Sequence, residues 1–221
     1  MAGADPRSPR SGTVPLPRRP LAESDRLRDR YENDLGWPVM PGRPLRLVAG
    51  VRFDVLDVPA AAGLAALRHL APHSPVAAQG DRVRILVAPG SARELPGLLD
   101  WLEWGSLELD LTALDDGALL DAPELGAQWA LDGSPVTGPW AEGGSRSGPP
   151  VAVGRAGSVQ GAAVWVRPPG PGGEVESSLP TLSALGGGGG APDLVRVVDT
   201  VATQCHRIRL RRTCAQPLAF S

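Results

Sequence analysis

Proline and glycine decide where regular structure can form in this 221-residue chain, which contains 24 Pro and 28 Gly. Both residues disfavour the interior of helices and strands. They are concentrated in residues 1–20, 123–158 and 168–192, and the last of these regions contains five consecutive glycines. The remaining sequence predicts one α+β domain over 21–167, with a mixed or antiparallel sheet flanked by helices, and one helix over 193–212.

We expect the three Pro- and Gly-rich regions to lack a regular fold for different reasons. Residues 1–20 combine Pro and Arg with few apolar residues, which predicts a disordered tail. Residues 123–158 contain scattered Gly, Pro and Ser without a period, which predicts an irregular insertion in the domain. Residues 168–192 are predicted to form a flexible linker before the C-terminal helix.

Apolar patterning in the first half of the domain predicts an alternation of helices and strands. A peripheral, charged helix is expected to end at Leu35, with Gly36 as its left-handed stop. The segment "FDVLDV" predicts a buried strand that leads directly into an Ala/Leu-rich helix. Two further strands, "SPVAAQ" and "DRVRILVAPG", are expected to form a hairpin at Gly80-Asp81.

The second half is predicted to add a helix, a hairpin and a docked C-terminal helix. Ser91 and Glu94 have capping-box spacing, but Pro96 would remove an internal hydrogen bond, so this helix is expected to start nearer Leu95. "LELDLTAL" is predicted to turn at Asp115-Asp116-Gly117 into the strand "ALLDA" as a second hairpin. "GAAVWVRPP" predicts one more strand, and the apolar residues of 193–212 recur near a 3.6-residue period.

The charge distribution separates two surfaces, although the formal net charge is only −2. Residues 43–93 contain seven Arg and three Asp, whereas residues 94–142 contain eleven acidic residues and no Arg. A nucleotide or nucleic acid is therefore expected to approach residues 43–93. A protein partner is expected instead to use the acidic 94–142 face or the C-terminal helix.

Several other functions are disfavoured by what the sequence contains. No segment approaches the roughly 18 consecutive apolar residues of a membrane helix, and the start lacks a signal-peptide core, so we expect a cytoplasmic protein without membrane contact. Two late cysteines give neither a disulfide framework nor a Cys/His zinc pattern. All 22 basic residues are Arg, so the Lys of a Walker phosphate loop is missing.

Two carboxylates, Asp54 and Asp57, lie on the predicted buried strand. In an extended strand, residues three apart point to opposite faces, so these two side chains are not expected to share a metal ion. We expect Asp54 on an exposed face and Asp57 at the turn into the helix. A bulge would rotate Asp54 onto the face of Asp57 and create a second possible ligand.

A resemblance to a known family rests on the order of several motifs. Residues 22–125 contain "GWPVMP", "FDVLDVP", an Ala/Leu helix, "QGDRVRILV" and "LDLTALDDGALLDAPE" in that order. This order resembles the N-terminal catalytic domain of bifunctional DNA primase/polymerases, the prim-pol family. The chain is also similar to short actinobacterial proteins grouped with prim-pol, in which the Gly-rich run and the last helix recur. That second resemblance brings no function with it.

The resemblance implies specific site residues, and the chain departs from some of them. Asp57 matches the first aspartate of the family's Asp-x-Asp, but Pro59 stands at the second. Val83 or Arg84 falls where the family has a His, and Asp110 matches the third carboxylate. The resemblance therefore implies Asp57 and Asp110 as catalytic residues that would hold Mg²⁺ or Mn²⁺, and Asp54 would join them as a substitute metal ligand if the strand is bulged.

Three arginines are candidates for binding phosphates: Arg52, Arg82 and Arg84. Arg82 and Arg84 alternate onto one strand face, as bidentate phosphate binding requires, although a solvated strand face would show the same pattern. The sequence thus leaves three hypotheses. The first is a degenerate prim-pol-like domain that binds nucleotide or DNA. The second is a protein-interaction module on the same scaffold. The third is an active metal-dependent nucleotidyltransferase.

Overall fold

The fold is described from a computed structural model over residues 23–124, 127–129, 135–137, 161–170, 174–182 and 191–214. The predicted N-terminal tail and most of the predicted insertion lie outside these residues. The helices are α1 (Glu23–Asp29), continued by a π-helical turn (Arg30–Asp34), α2 (Ala60–Ala66), continued by a 3-10 turn (Leu67–His69), α3 (Ser91–Trp101), α4 (Glu174–Ser178) and α5 (Leu194–Cys214).

The strands form a small and a large sheet. The small sheet has the order β1-β2-β7, and the large sheet has the order β6-β3-β5-β4-β10-β8-β9. All neighbours pair antiparallel except β10 and β8, which pair parallel. The strands are β1 (Val39–Met40), β2 (Arg46–Val48), β3 (Asp54–Pro59), β4 (Val76–Gln79), β5 (Arg82–Val87), β6 (Thr112–Leu114), β7 (Leu119–Asp121), β8 (Ala127–Trp129), β9 (Pro135–Thr137) and β10 (Val164–Arg167).

The centre of the large sheet is built from the consecutive elements β3-α2-β4-β5-α3-β6. In space their strands lie in the order β6-β3-β5-β4. The first strand of the unit in sequence, β3, therefore pairs with the third, β5, and with the fourth, β6. This is the split β-α-β arrangement of a ferredoxin-like unit. The expected α+β class with a largely antiparallel sheet is therefore confirmed.

Each face of the large sheet buries its own apolar core, because alternate strand residues point to opposite faces. On one face, α2, α3 and α5 cover Leu56, Val58, Val83 and Ile85, all of which are buried. On the other face, a second core joins the large sheet to the small one. Its largest buried side chains are Tyr31, Trp37, Phe53, Leu47 and Trp165.

Aromatic contacts and two buried hydrogen bonds hold the second core. The Trp37 ring lies 4.7 Å from Phe53 and 6.4 Å from Trp165, measured between centroids. The Tyr31 hydroxyl donates to the Pro123 carbonyl at 2.8 Å and accepts from Trp165 Nε1 at 3.1 Å. Burial raises the pKa of Tyr31, so the hydroxyl stays protonated and can donate.

Two of the glycine turns that the sequence predicts are present in the structure. The β4–β5 hairpin turns at Gly80, whose φ of 60° lies in the left-handed region. Gly36, with φ 64°, follows the first helix as expected. The second predicted hairpin is wrong, because β6 pairs with β3 while β7 pairs with β2 in the small sheet. Residues 115–117 therefore connect two sheets.

Two further predictions are corrected by packing between distant segments. Helix α3 begins at Ser91 and contains Pro96, so it does not start near Leu95. The predicted linker contains α4, and Val175 and Leu179 there are buried in the second core. These two side chains explain the difference, because burying them fixes a short segment that its Gly and Pro content would leave without structure.

Helix α5 docks on the domain as its period predicts. Leu194, Val197, Val198, Val201 and Cys205 are buried in the first core. The apolar stripe of α5 is therefore used inside the domain, and the exposed residues that remain for a partner are polar except for a few such as Leu210, which is half-exposed. Among the described residues, every helix is either too short or too polar to span a lipid bilayer.

A stability prediction concerns Gly63, where α2 lies against β5. An added Cβ would collide with Val83 and lie 3.2 Å from Val58. We expect Gly63→Ala to destabilise the domain by about 1–2 kcal/mol, because overpacking exceeds the gain of about 1 kcal/mol in helix propensity. Urea denaturation would measure the change.

The matched control is Gly97→Ala in α3, where an added Cβ meets nothing within 4 Å. This variant should be stabilised by up to about 1 kcal/mol through helix propensity alone. Equal effects of the two substitutions would contradict the close packing of α2 on β5.

Candidate anion-binding site

Three charged side chains meet on one face of the β3–β5 pair. Asp57 stands opposite Arg84, and Arg82 stands opposite Pro59, in a register that continues without interruption along both strands. Arg82 Nε and Arg84 Nε each donate to the Asp57 carboxylate, the latter at 3.2 Å. Arg82 Nη2 also donates to the Asp57 carbonyl at 2.9 Å. The structure thus joins the three residues into one cluster.

Further polar residues extend this cluster in both directions. On one side, Arg82 Nη1 donates to Asp110 Oδ1, and Arg212 Nη1 lies 3.8 Å from Asp110 Oδ2. On the other side, Arg84 Nη1 donates to Gln79 Oε1 at 2.6 Å, and Gln79 Nε2 donates to Asp121 Oδ2 at 2.8 Å. We call this set the arginine–carboxylate network; its members are Gln79, Arg82, Arg84, Asp57, Asp110, Asp121 and Arg212.

The network is most buried at its centre and most open at the Asp110 end. The exposed fractions are 15% for Asp57 and 18% for Arg84, but 46% for Asp110 and 67% for Arg212. Three arginines balance three aspartates. Burial lowers the pKa of Arg82, but hydrogen bonds and charge interactions with Asp57 and Asp110 outweigh it and raise that pKa overall. Arg82 is therefore a permanent cation held between two carboxylates.

The oxygen atoms of the site fit a guanidinium better than a divalent metal cation. The two carboxylates that the resemblance implies as metal ligands, Asp57 and Asp110, both direct oxygens at Arg82. Pro59 supplies no ligand at the second position of the family motif. Within the described ranges, no group of three or more His, Cys, Asp or Glu side chains is placed to hold a metal ion. Mg²⁺ and Mn²⁺ prefer several oxygen ligands that are free to turn toward the ion.

Asp54 lies on the opposite face from Asp57, as the spacing predicts, but it is buried rather than exposed. Its side chain is 1% exposed, and Oδ2 accepts a hydrogen bond from the Ala92 amide at 3.0 Å. Asp54 therefore caps the start of α3, where the N-cap residue is Gly90 and has no side chain that could accept this hydrogen bond. The β3–β5 register contains no bulge, so Asp54 is not turned toward Asp57.

Arg52 is not part of the network. It lies before β3, and its Nη2 forms an ion pair with Glu176 Oε1 at 2.5 Å. The Gly50 amide donates to the Phe53 carbonyl at 2.8 Å, so Arg52 lies in the turn that precedes β3 and not on the strand that carries Asp57. The structure therefore brings together Asp57, Asp110, Arg82 and Arg84 of the predicted site residues, and it places Asp54 and Arg52 elsewhere.

Sequence reasoning missed three members of the network: Gln79, Asp121 and Arg212. Arg212 is 102 positions from Asp110, and no local pattern links such residues. Gln79 could have been predicted as a member, because it stands opposite Arg82 in the β4–β5 hairpin. Cys205 also lies nearby, with Sγ 3.5 Å from the Asp110 carbonyl, but burial raises its thiol pKa to about 11 and leaves it protonated.

Comparison with known proteins identifies no relative whose site could be set beside this one. The chain matches no family model, no curated protein and no solved structure.

A pH prediction follows from the burial of Asp54. Burial raises the pKa of this carboxyl above its usual 3.8, against the opposing effect of the Ala92 and Gly90 amides. The folded state then holds the Asp54 proton more tightly than the unfolded state. The contribution of Asp54 to stability therefore falls as the pH rises from about 4 through the folded-state pKa.

Asp54→Asn should remove this dependence while keeping an acceptor for the Ala92 amide. Urea denaturation at pH 4, 5.5 and 7 should show the stability difference moving in favour of the variant as the pH rises. Asp81→Asn, which removes an exposed carboxylate from the β4–β5 turn, controls for the loss of one negative charge. If the stability difference between Asp54→Asn and the unchanged protein were constant with pH, it would contradict a raised pKa for Asp54.

Proposed function

We propose that this chain is a prim-pol-like domain with reduced chemistry, which binds the phosphates of a nucleotide or DNA through Arg82 and Arg84 without transferring a nucleotide. The observation that carries the proposal is the position of Arg82, whose guanidinium bonds both Asp57 and Asp110. These carboxylates match the positions that the resemblance implies as metal ligands. The Arg82 guanidinium, a cation of the protein itself, therefore lies between the two carboxylates.

A guanidinium can replace only part of what a metal ion does. It neutralises the carboxylates and presents directed N–H donors to phosphate oxygens. It is not a Lewis acid and carries one charge instead of two, so it does not activate a nucleophile as two-metal sites do. The arrangement therefore favours binding over phosphoryl transfer.

The open end of the network suits exchange of a carboxylate for a phosphate. Asp110 is nearly half-exposed, so a phosphate oxygen can take its place as acceptor for Arg82 Nη1. Arg84 Nη2 makes no hydrogen bond within the described part of the chain and can serve as an additional donor. Because the hydrogen bond from Arg82 to a phosphate replaces its hydrogen bond to the Asp110 carboxylate, binding should be moderate in strength and sensitive to salt.

The first test replaces the two arginines. Arg82→Gln plus Arg84→Gln should weaken binding of deoxythymidine triphosphate by about tenfold or more, because both phosphate donors are removed. Isothermal titration calorimetry would measure the affinity, with a thermal melt to verify folding. The matched control is Arg52→Gln plus Arg93→Gln, which removes the same charge from exposed residues outside the network. Equal losses of affinity in the two double variants would overturn the proposal.

The second test removes the competing carboxylate. Asp110→Asn should strengthen binding of the triphosphate by about two- to fivefold, because Asp110 no longer occupies Arg82 and Arg212. An active metal-dependent transferase predicts the opposite result, since it would lose a metal ligand. Weaker binding in Asp110→Asn would therefore favour the third hypothesis.

The third test asks whether binding needs a metal. A triphosphate at tenfold its Kd should raise the melting temperature by about 3–6 °C, with or without Mn²⁺. Primer extension should show no incorporation in either condition. A shift that requires Mn²⁺ and disappears in Asp57→Ala, together with incorporation, would establish the active enzyme instead.

A further inference from the structure

We propose that Gln79 is a positioning residue for phosphate binding, which holds the Arg84 guanidinium so that Nη2 is the nitrogen left for the ligand. This inference rests on the proposed function and adds to it a residue that touches no phosphate itself. Gln79 is the last residue of β4, and its side-chain amide joins Arg84 to Asp121 and to Gly161.

The strand pairing brings Gln79 within reach of Arg84. Gln79 stands opposite Arg82 in the β4–β5 hairpin, and Arg84 follows Arg82 by two residues on the same strand face. Gln79 and Arg84 are therefore diagonal neighbours, at a separation that two long side chains can span. On the other side of β5, Asp57 stands opposite Arg84. The guanidinium thus has one acceptor on each neighbouring strand.

Two of the three guanidinium nitrogens of Arg84 are engaged by these acceptors. Nε donates to Asp57 Oδ2 at 3.2 Å, and Nη1 donates to Gln79 Oε1 at 2.6 Å. The bond from Nε alone would let the two Nη atoms exchange by rotation about the Nε–Cζ bond. Because the guanidinium is planar, a second bond from Nη1 fixes the direction of Nη2. Gln79 therefore selects which nitrogen stays free.

The Gln79 amide itself can be oriented in only one way. Nε2 donates to Asp121 Oδ2 at 2.8 Å and to the Gly161 carbonyl at 2.7 Å, and a carboxylate and a carbonyl only accept. Arg84 only donates, so it has to meet Oε1. A flipped amide would place its nitrogen against Arg84 and its oxygen against two acceptors. The three partners together thus fix the acceptor that Arg84 meets.

A purely structural role for Gln79 would be to link the two sheets. Asp121 lies in β7 of the small sheet, and Gly161 precedes β10 of the large sheet. This link uses only Nε2 of Gln79, whereas positioning of Arg84 uses only Oε1. The two roles can therefore be separated by variants that remove one set of bonds and leave the other.

The first test combines Gln79→Met and Arg84→Gln in a double-mutant cycle. Gln79→Met removes the acceptor and should weaken binding of deoxythymidine triphosphate by about three- to tenfold, because Arg84 is no longer preorganised. In the Arg84→Gln background, the same change should alter the affinity by less than about twofold, since its effect passes through Arg84. Isothermal titration calorimetry would measure the affinities, with a thermal melt of each variant. Equal losses in the two backgrounds would overturn the inference.

The matched control is Asp121→Ala, which removes one bond of Gln79 Nε2 and leaves Oε1 with Arg84. This variant should bind the triphosphate at least as tightly as the native chain, because a negative charge is lost from the network. If Asp121→Ala weakened binding as much as Gln79→Met does, the link between the sheets would be responsible and the inference would be wrong.

A second readout needs no ligand. In the NMR spectrum of the isotope-labelled chain, Nη1 and Nη2 of Arg84 should give separate signals, because two bonds hold the guanidinium. Arg84→Gln identifies these signals by their loss. Gln79→Met should average them, whereas Gln79→Glu, which keeps an acceptor oxygen, should leave them separate. Averaged signals in the native chain or in Gln79→Glu would contradict the positioning of Arg84 by Gln79.

The affinities also separate this inference from the proposed function. If Arg84→Gln weakens triphosphate binding and Gln79→Met does not, the inference fails and the proposed function stands. If the native chain binds no triphosphate, both fail, even where the Arg84 signals depend on Gln79.

Discussion

The pairing of β3 with β5 is the interaction on which the rest of the structure depends. Its register continues over six residue pairs, from Asp54 opposite Val87 to Pro59 opposite Arg82. One face of the pair directs aliphatic side chains at α2, α3 and α5, and the other face contributes to the aromatic core. The same register sets Asp57 beside two arginines. A shift by one residue would exchange the faces, bury these charges and expose the core.

Charge compensation explains why the site can be part-buried and still stable. An isolated carboxylate at the position of Asp57 would be costly, but two guanidiniums donate to its oxygens. The same compensation reduces the chemistry available there, because the carboxylates that could hold a metal are already engaged. The Asp110 end of the network remains accessible, since nearly half of that side chain is exposed. This charge compensation is the basis of the proposed binding of phosphates without their transfer.

The fold was more predictable than the site because helices and most turns depend on neighbours in sequence. The Gly80 hairpin, the docked face of α5 and the α+β class all followed from local period and turn residues. The pairing of β7 with β2 did not, since the turn before β7 equally suits a hairpin with β6. Arg52 shares only its charge with Arg82, and the two side chains have different partners because Arg52 lies before β3 and pairs with Glu176.

The sequence by itself determined that Asp54 and Asp57 point to opposite faces, because side chains alternate along any extended strand. It did not determine what each carboxylate meets. Only the tertiary structure decided that Asp54 caps α3 and that Arg82 stands between Asp57 and Asp110. The physical reason is that alternation is a property of the local backbone, whereas hydrogen-bond partners come from segments tens of residues apart. Those partners are set by how the two cores pack.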